Sequence, residues 1–153
     1  MGRIADGLRA LVVTLWVGSL WTIGFMVAPA LFAHAGDRVL AGELAGRLFA
    51  LESWLGLGCC LFLLGLMVAR AGGRALKSGV FWLLLAMGGL VAAGHFGVQP
   101  ILAALKAEAW PREVMQSVLR DRFASWHGIS SGLYVVEAIL GLALVVLQGR
   151  LSR

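Results

Sequence analysis

Four long blocks with almost no charged residues constrain the fold of this chain more than any other feature of its sequence. Two blocks contain no charged residue, and the other two contain one carboxylate each, Glu52 or Glu137. Each block reaches the roughly 20 residues that a helix needs to cross a hydrocarbon core about 30 Å thick. The blocks cover residues 11–36, 48–69, 78–105 and 123–149.

These blocks predict an all-α polytopic membrane protein, a four-transmembrane-helix bundle that forms one integral membrane domain over residues 1–153. The chain is 60% hydrophobic and 14% charged, which is too apolar for an ordinary soluble domain. The first block is longer than the roughly 7–15 apolar residues of a signal peptide, so we expect it to be retained. The predicted transmembrane helices run over about 6–32, 48–69, 80–102 and 125–148.

The basic residues flank the blocks, where they favour contact with lipid headgroups. The net charge of +5 is therefore no indication of nucleic-acid binding. The short connection Arg70–Lys77 is basic, and the positive-inside rule places it in the cytoplasm together with both termini. We expect a multi-pass protein of a bacterial inner membrane, with the lipid bilayer and either a second copy or another membrane protein as partners.

The sequence contains a short internal repeat, which we call the echo. The segment Phe25-Met-Val-Ala-Pro-Ala-Leu31 matches Phe96-Gly-Val-Gln-Pro-Ile-Leu102, and Arg47-Leu-Phe-Ala50 resembles Arg122-Phe-Ala124. Both halves then consist of an outward helix, an amphipathic link and an inward helix. We interpret this as two parallel-repeat helical hairpins related by a twofold axis along the membrane normal.

The two outer connections have amphipathic patterns. Asp37 is expected to cap a helix, and the apolar stripe Val39, Leu40, Leu44 and Leu48 leads into the second block. Pro111 suits the first position of a helix, and Val114, Met115, Val118 and Arg122 are expected to form a second face. Both pieces are predicted to lie in the headgroup layer. Close helix contacts are predicted at the small residues Gly18, Thr22, Gly89, Ala93 and Gly97.

Polar side chains inside these blocks are the candidate site. Lipid makes lone polar groups costly, so they need a function or a buried partner. A carboxyl group as deep as that of Glu137 is expected to be protonated or paired. Glu52 is predicted about one turn inside the second block. The ligand-binding candidates are His95, Gln99, His127, Ser130, Ser131, Tyr134, Glu137 and Glu52.

Several interpretations of these residues stay open. The first is a non-enzymatic protein that binds or passes a small solute, cation or lipid through a polar pocket in the outer half of the bundle. The second is an interaction or assembly module whose polar groups only fix helix register. The third is a metal or haem protein, with His95, His127 and Glu52 as a conceivable zinc or copper set.

No nucleophile–base pair, phosphate loop or carboxylate dyad appears in the sequence, so we predict no enzymatic activity, no catalytic residue and no cofactor. Adjacent Cys59 and Cys60 point in different directions on a helix. They are expected to pack in the core.

The entry into the last block resembles a known family. The residues Arg120-x-x-Phe123-x-x-x-His127-Gly-x-Ser-Ser131 look like the transmembrane protein 205-like family, four-helix membrane proteins found from bacteria to animals. Ala28-Pro-x-Leu-Phe32 and Arg47-Leu-Phe49 are similar to further landmarks of that family. Some members carry Asn at the position of Tyr134. The resemblance implies the four-helix fold and a membrane location, and it implies no established activity.

Overall fold

The first half of the chain forms one helical hairpin. The computed structural model describes residues 2–109 and 114–148. Helix α1 (Gly2–Thr22) passes through a π turn (Ile23–Val27) into α2 (Ala28–His34). After a short turn in which Gly36 has a φ of 67°, α3 (Arg38–Ala71) returns as an unbroken helix. We call α1, the π turn and α2 together the first span, and α3 the second span.

The second half repeats this plan. A 3-10 turn (Gly72–Lys77) leads into the third span, which consists of α4 (Gly79–Ala92), a π turn (Ala93–Val98) and α5 (Gln99–Ala109). The fourth span is α6 (Arg120–Gln148). We call the side of the bundle with Gly2, the 3-10 turn and Gln148 the terminal side, and the opposite side the distal side.

All four spans are long and apolar enough to cross a membrane. Their candidate membrane segments have mean hydropathies of 1.9, 1.9, 1.7 and 2.1. No described residue lies in a strand, and much of the exposed surface is leucine, valine and phenylalanine, as a lipid-facing surface requires. The prediction of an all-α bundle with four transmembrane helices is confirmed for the described ranges. The segments are Arg3–His34, Arg38–Lys77, Gly79–Ala109 and Arg120–Leu147.

The spans pack in a ring. The first span contacts the second and the fourth, and the third span also contacts the second and the fourth. The first and third spans are therefore diagonal, as are the second and fourth. A twofold axis along the membrane normal would generate this arrangement from one hairpin, in agreement with the repeat predicted from the sequence.

The two π turns occur at equivalent positions of the echo. One ends two residues before Pro29 and the other two residues before Pro100. A proline has no backbone N–H for the carbonyl four residues earlier, and its ring collides with that carbonyl in a regular helix. Widening the preceding turn relieves this collision, so each π turn follows from its proline.

Glycines admit large side chains from neighbouring spans. Ideal Cβ atoms on Gly56 and Gly88 would lie 2.7 Å from the Trp16 indole nitrogen and 2.6 Å from the Cys60 sulfur. By contrast, Gly18, Gly89 and Gly97 have no such neighbour within 4 Å, and Thr22 and Ala93 are exposed. The predicted close helix contacts at these five small residues are therefore wrong. Hydrophobicity does not distinguish a lipid-facing surface from a protein-facing one.

The apolar core fills the terminal half of the bundle. Its fully buried side chains include Trp16, Leu84, Met87 and Leu144. Cys60 belongs to this core, and its thiol donates to the carbonyl oxygen of Leu84 at 3.3 Å. The expected packing role of the cysteines agrees with this contact.

The distal connections differ from the predicted headgroup-layer helices. Asp37 does cap α3, since its Oδ1 accepts from the backbone N–H groups of Val39 and Leu40 at 2.8 and 3.4 Å. However, residues 38–47 are not a separate helix but the first turns of the second span. Ala41 and Ala45 face the bundle there.

The predicted apolar stripe of this segment points outward, with Val39, Leu40 and Leu44 exposed and Leu48 half-buried. The small alanines allow the two arms of the hairpin to approach closely. In the second connection, Val114–Gln116 forms only a 3-10 turn, and Val118 is 99% exposed. Pro111 lies outside the described residues.

Candidate functional site

Two carboxyl groups lie near the centre of the bundle. Glu52 on the second span is 3% exposed, and Glu137 on the fourth span is 4% exposed. These spans are diagonal, and both side chains are buried inside the bundle. The two carboxyl groups interact electrostatically, and one oxygen of each has no hydrogen-bond partner. We call Glu52 and Glu137 the carboxyl pair.

The carboxyl pair is deeper than the sequence indicated for Glu52. Since α3 begins at Arg38 and not near Leu48, Glu52 lies about 21 Å along its helix from the distal end. Glu137 lies about 26 Å from the distal end of α6, which begins at Arg120. Both carboxyl groups therefore lie within one helical turn of the middle of their helices, and an ionised group in the middle of a membrane helix is costly.

Trp16 contributes the polar group beside this pair. It is fully buried on the first span, and Gly56 provides the space for its ring. Its indole N–H approaches the carboxyl of Glu137, although its geometry falls short of a full hydrogen bond. Sequence reasoning missed Trp16. Its signal was a tryptophan in the middle of an apolar block, away from the interfaces that this residue prefers.

Tyr134 closes the distal side of the site. Its hydroxyl donates to the carbonyl oxygen of Leu20 at 2.5 Å, and its ring lies against Gly24, where no side chain is in the way. The ring also meets Phe49 edge to face, with centroids 5.1 Å apart. We call Phe49 and Tyr134 the aromatic pair. Tyr134 interacts electrostatically with both carboxyl groups, so the predicted residues Tyr134, Glu137 and Glu52 are brought together.

His95 belongs to a different cluster. Its ring packs edge to face on Trp54 and Phe96, with centroids 5.0 and 4.9 Å apart. Trp54 and Phe96 are 58% and 57% exposed, so this cluster lies on the outer face between the second and third spans. The Nδ1 atom of His95 is buried without a hydrogen bond. Gln99, one turn further along, is half-buried.

The remaining candidates on the fourth span do not reach the carboxyl pair. His127 is exposed and stacks on Phe123 of its own helix at 5.8 Å. Ser131 is exposed, and its hydroxyl donates to the carbonyl oxygen of His127 at 2.9 Å. Ser130 is half-buried. The polar stripe predicted for this helix is thus divided between its outer surface and the bundle centre.

The donor atoms of the site are two carboxyl groups, a phenol and an indole N–H. Within residues 2–109 and 114–148, no three His, Cys, Asp or Glu side chains are close enough together to hold a metal ion. The conceivable zinc or copper set of His95, His127 and Glu52 is not brought together. Chemically, two carboxyl groups in an apolar environment can bind a positively charged species.

Sequence comparison assigns the chain to a family. Residues 11–111 match a domain of unknown function, DUF4149. The protein belongs to the DUF4149 family. The DUF4149 match covers Trp16, Glu52 and both π turns, and it ends before the fourth span that carries Tyr134 and Glu137. No curated protein and no solved structure matches the chain.

Proposed function

We propose that this DUF4149 protein is a non-enzymatic membrane protein that binds a small cation at the carboxyl pair and holds it in, or passes it through, the membrane. The observation that carries this proposal is the enclosure of two acids in one bundle centre, each with an unpartnered oxygen. Of the ligand classes considered from the sequence, a cation suits two carboxyl groups better than a neutral solute or a lipid.

The free-energy cost of burying two ionised carboxyl groups supports this proposal. A buried carboxylate needs a compensating charge, and an uncompensated one is strongly destabilising. In the described part of the chain, no lysine or arginine is among the groups that act on Glu52 or Glu137. A cation supplied from outside neutralises the site. Cation binding thus gives a function to two residues whose burial is energetically unfavourable, as is usual for acids inside membranes.

Cation binding is tested with purified protein in detergent and in proteoliposomes. We expect Na⁺, K⁺, Mg²⁺, Ca²⁺ or protons to raise the thermal stability of the wild type or to cross the proteoliposome membrane. Glu52→Gln and Glu137→Gln abolish this response. Glu43→Gln, an exposed acid on the same helix as Glu52, is the matched control and keeps it. A wild type that responds to no cation, or pair variants that respond normally, would refute the proposal.

We also propose that the protein resides in a bacterial inner membrane with both termini in the cytoplasm. The basic turn Gly72–Lys77 supports this orientation, because it carries Arg74 and Lys77 on the same side as the termini. Alkaline phosphatase fused after Gln148 is then inactive, and a fluorescent protein fused there is fluorescent. The opposite pattern would reverse the orientation.

The second candidate function is assembly with another copy of the chain. It is favoured by the outward cluster of Trp54, His95 and Phe96, because exposed aromatic residues are typical of interfaces. Disulfide trapping of Phe96→Cys in membranes tests it. Cross-linked dimers that also form with Leu61→Cys, another exposed position, would indicate random collision and contradict a specific interface.

We further propose that the resemblance to the transmembrane protein 205-like family reflects common descent. It rests on the residues from Arg120 to Ser131, which lie beyond the DUF4149 match. A structure of a transmembrane protein 205-like protein with π turns before both prolines would support it, and a different helix order would refute it.

A further inference from the structure

We propose that an anionic phospholipid of the distal leaflet binds between the first and fourth spans, with its phosphate at Arg120 and His127 and its acyl chains running inward to Tyr134. We call the space between α2 and the distal half of α6 the distal cleft. This site is separate from the cation site at the carboxyl pair. Three features carry the proposal: the opening between the two spans, the polar stripe on α6 and the length of the cleft.

The first and fourth spans are joined from the terminal side to the middle of the bundle. The Trp21 indole N–H donates to the Ala138 carbonyl oxygen at 3.2 Å, and the Tyr134 hydroxyl donates to the Leu20 carbonyl oxygen at 2.5 Å. Within the described ranges, the close approach of the two backbones is between α1 and α6 and does not continue along α2. The two spans are therefore farther apart on the distal side.

The surfaces that border this opening are exposed. From Arg120 to Leu133, α6 contains no buried residue, and the first span contains none from Pro29 to His34. Two helices packed along these segments would bury residues at every turn. The distal half does have buried residues on the second and third spans, among them Ala41, Ala45, Val98, Leu102 and Leu105. The bundle is thus packed on the distal side but open between its first and fourth spans.

The wall formed by the first span is apolar. The ring of Phe25 packs on the ring of Trp21 with centroids 4.8 Å apart, and Trp21 is bonded to the fourth span, so Phe25 lies on the side of that span. Phe25 is 45% exposed, and Pro29 and Ala33, which follow at intervals of four residues on one helix face, are also exposed. An apolar wall of this kind suits acyl chains.

The wall formed by the fourth span carries a polar stripe. Arg120, His127 and Tyr134 are seven residues apart, which is two helical turns, so they share one side of α6. Tyr134 contacts the first span, and the stripe therefore continues from that contact along the outer surface that borders the cleft. Arg120, His127 and Ser131 are exposed. These residues belong to the motif at the entry of the last block, which the carboxyl pair leaves without a role.

The charge of this stripe selects an anion. No acid in the described ranges forms an ion pair with Arg120, and the side chain of neighbouring Asp121 points about 100° away around the helix. A guanidinium can bind a phosphate through two parallel hydrogen bonds, and an imidazole can add another donor. A phosphate headgroup would satisfy Arg120 and His127. An apolar helix in the cleft would instead bury them without partners, which is costly in a membrane.

The length of the cleft matches one leaflet of the bilayer. Tyr134 is the middle residue of α6. Along the helix axis, His127 lies about 10 Å and Arg120 about 21 Å from Tyr134. One leaflet contributes about 15 Å of hydrocarbon, half of the core, so its headgroups are level with the section between His127 and Arg120. The cleft therefore has room for a lipid with its headgroup at the stripe and its chain ends at Tyr134.

The test is native mass spectrometry of the purified full-length protein in detergent, titrated with phosphatidylglycerol or with phosphatidylcholine of the same acyl chains. We expect the wild type to retain the anionic lipid at lower concentrations than the zwitterionic one. Arg120→Gln should weaken the binding of phosphatidylglycerol about fivefold and leave that of phosphatidylcholine unchanged, because it removes one positive charge near the headgroup. The matched control is Arg47→Gln, an exposed arginine on the diagonal second span, and it should keep the wild-type preference.

A second pair of variants locates the lipid. Ser131→Trp fills the cleft between His127 and Tyr134 and should abolish the preference for phosphatidylglycerol. Gly132→Trp places the same side chain about 100° farther around the helix, where a Cβ meets no atom within 4 Å, and should keep the preference. Circular dichroism and gel filtration identify a variant that fails to fold. In that case Arg120→Gln, at the exposed end of α6, decides the outcome.

Several results would overturn the proposal. The first is a wild type that retains both lipids equally, or an Arg47→Gln protein that loses the preference as Arg120→Gln does. The second is displacement of phosphatidylglycerol by inorganic phosphate beyond that by chloride of the same ionic strength, which would indicate a site for the free anion. The third is a folded Ser131→Trp protein that keeps the preference. The fourth is a dimer that Ser131→Trp dissociates, because a second copy would then occupy the cleft.

Discussion

Replacing Gly24 by alanine tests the packing of Tyr134 directly. An ideal Cβ at Gly24 would lie 2.3 Å from the Tyr134 Cε1 atom and 2.9 Å from its hydroxyl oxygen. Ordinary contacts of this kind begin at 3.4 Å. The tyrosine ring must therefore move by about 1 Å, and its hydroxyl must leave the Leu20 carbonyl oxygen.

The expected cost combines three contributions. Overpacking costs about 1–3 kcal/mol, and the lost hydrogen bond costs about 1 kcal/mol. The better helix propensity of alanine returns up to about 1 kcal/mol. We therefore expect Gly24→Ala to lower the free energy of unfolding by about 1–3 kcal/mol. The control Gly18→Ala has no neighbour within 4 Å and should be neutral or stabilising by up to about 1 kcal/mol.

The assay is unfolding in mixed micelles of increasing dodecyl sulfate content, followed by circular dichroism. Adding Tyr134→Ala to Gly24→Ala removes the atom that the new methyl group meets, so the cost of Gly24→Ala should largely disappear in that background. If Gly24→Ala is as stable as Gly18→Ala, or if its cost is the same with and without Tyr134, the proposed contact is wrong.

Three further predictions use the same unfolding assay. Trp21→Phe removes the indole donor to the Ala138 carbonyl oxygen at 3.2 Å and should cost about 0.5–1.5 kcal/mol; no loss would mean that this bond does not form. Glu137→Leu replaces a buried acid that has an unpartnered oxygen and should stabilise by about 1–3 kcal/mol, whereas a loss of stability would mean that the approach of the Trp16 N–H to this carboxyl is a stabilising contact. Asp6 pairs with Arg70 at 2.6 Å, but water screens this exposed pair, so Asp6→Asn should leave the free energy of unfolding unchanged at any salt concentration. A clear loss of stability at low salt would contradict this screening.

The membrane fold could be predicted because its signals do not depend on the direction in which a helix faces. Length and absence of charge define the spans, and the echo around Pro29 and Pro100 indicated equivalent hairpins. The deep position of Glu137 also followed from its place in an apolar block. Each of these features is local to one helix and is read along the chain.

The inner and outer faces of the helices could not be predicted in the same way. Lipid and protein core are both apolar, so a helix inside a membrane lacks the polar face that orients a helix in water. His127 and Gly18 were expected to face the bundle and instead face outward. Trp16 was overlooked for the same reason, because its unusual position in the middle of an apolar block does not show whether its ring faces lipid or a carboxyl group.

The π turns have a consequence for the evolution of this chain. A π turn accommodates about one more residue than a regular helical turn, and one residue corresponds to a rotation of about 100°. The parts of the first span before Ile23 and after Val27 thus behave as two helices whose facing residues are out of phase. Relatives that lost the proline at Pro29 could delete one residue here and keep both contact faces, and an alignment of such relatives would show a one-residue gap in the middle of an uninterrupted helix.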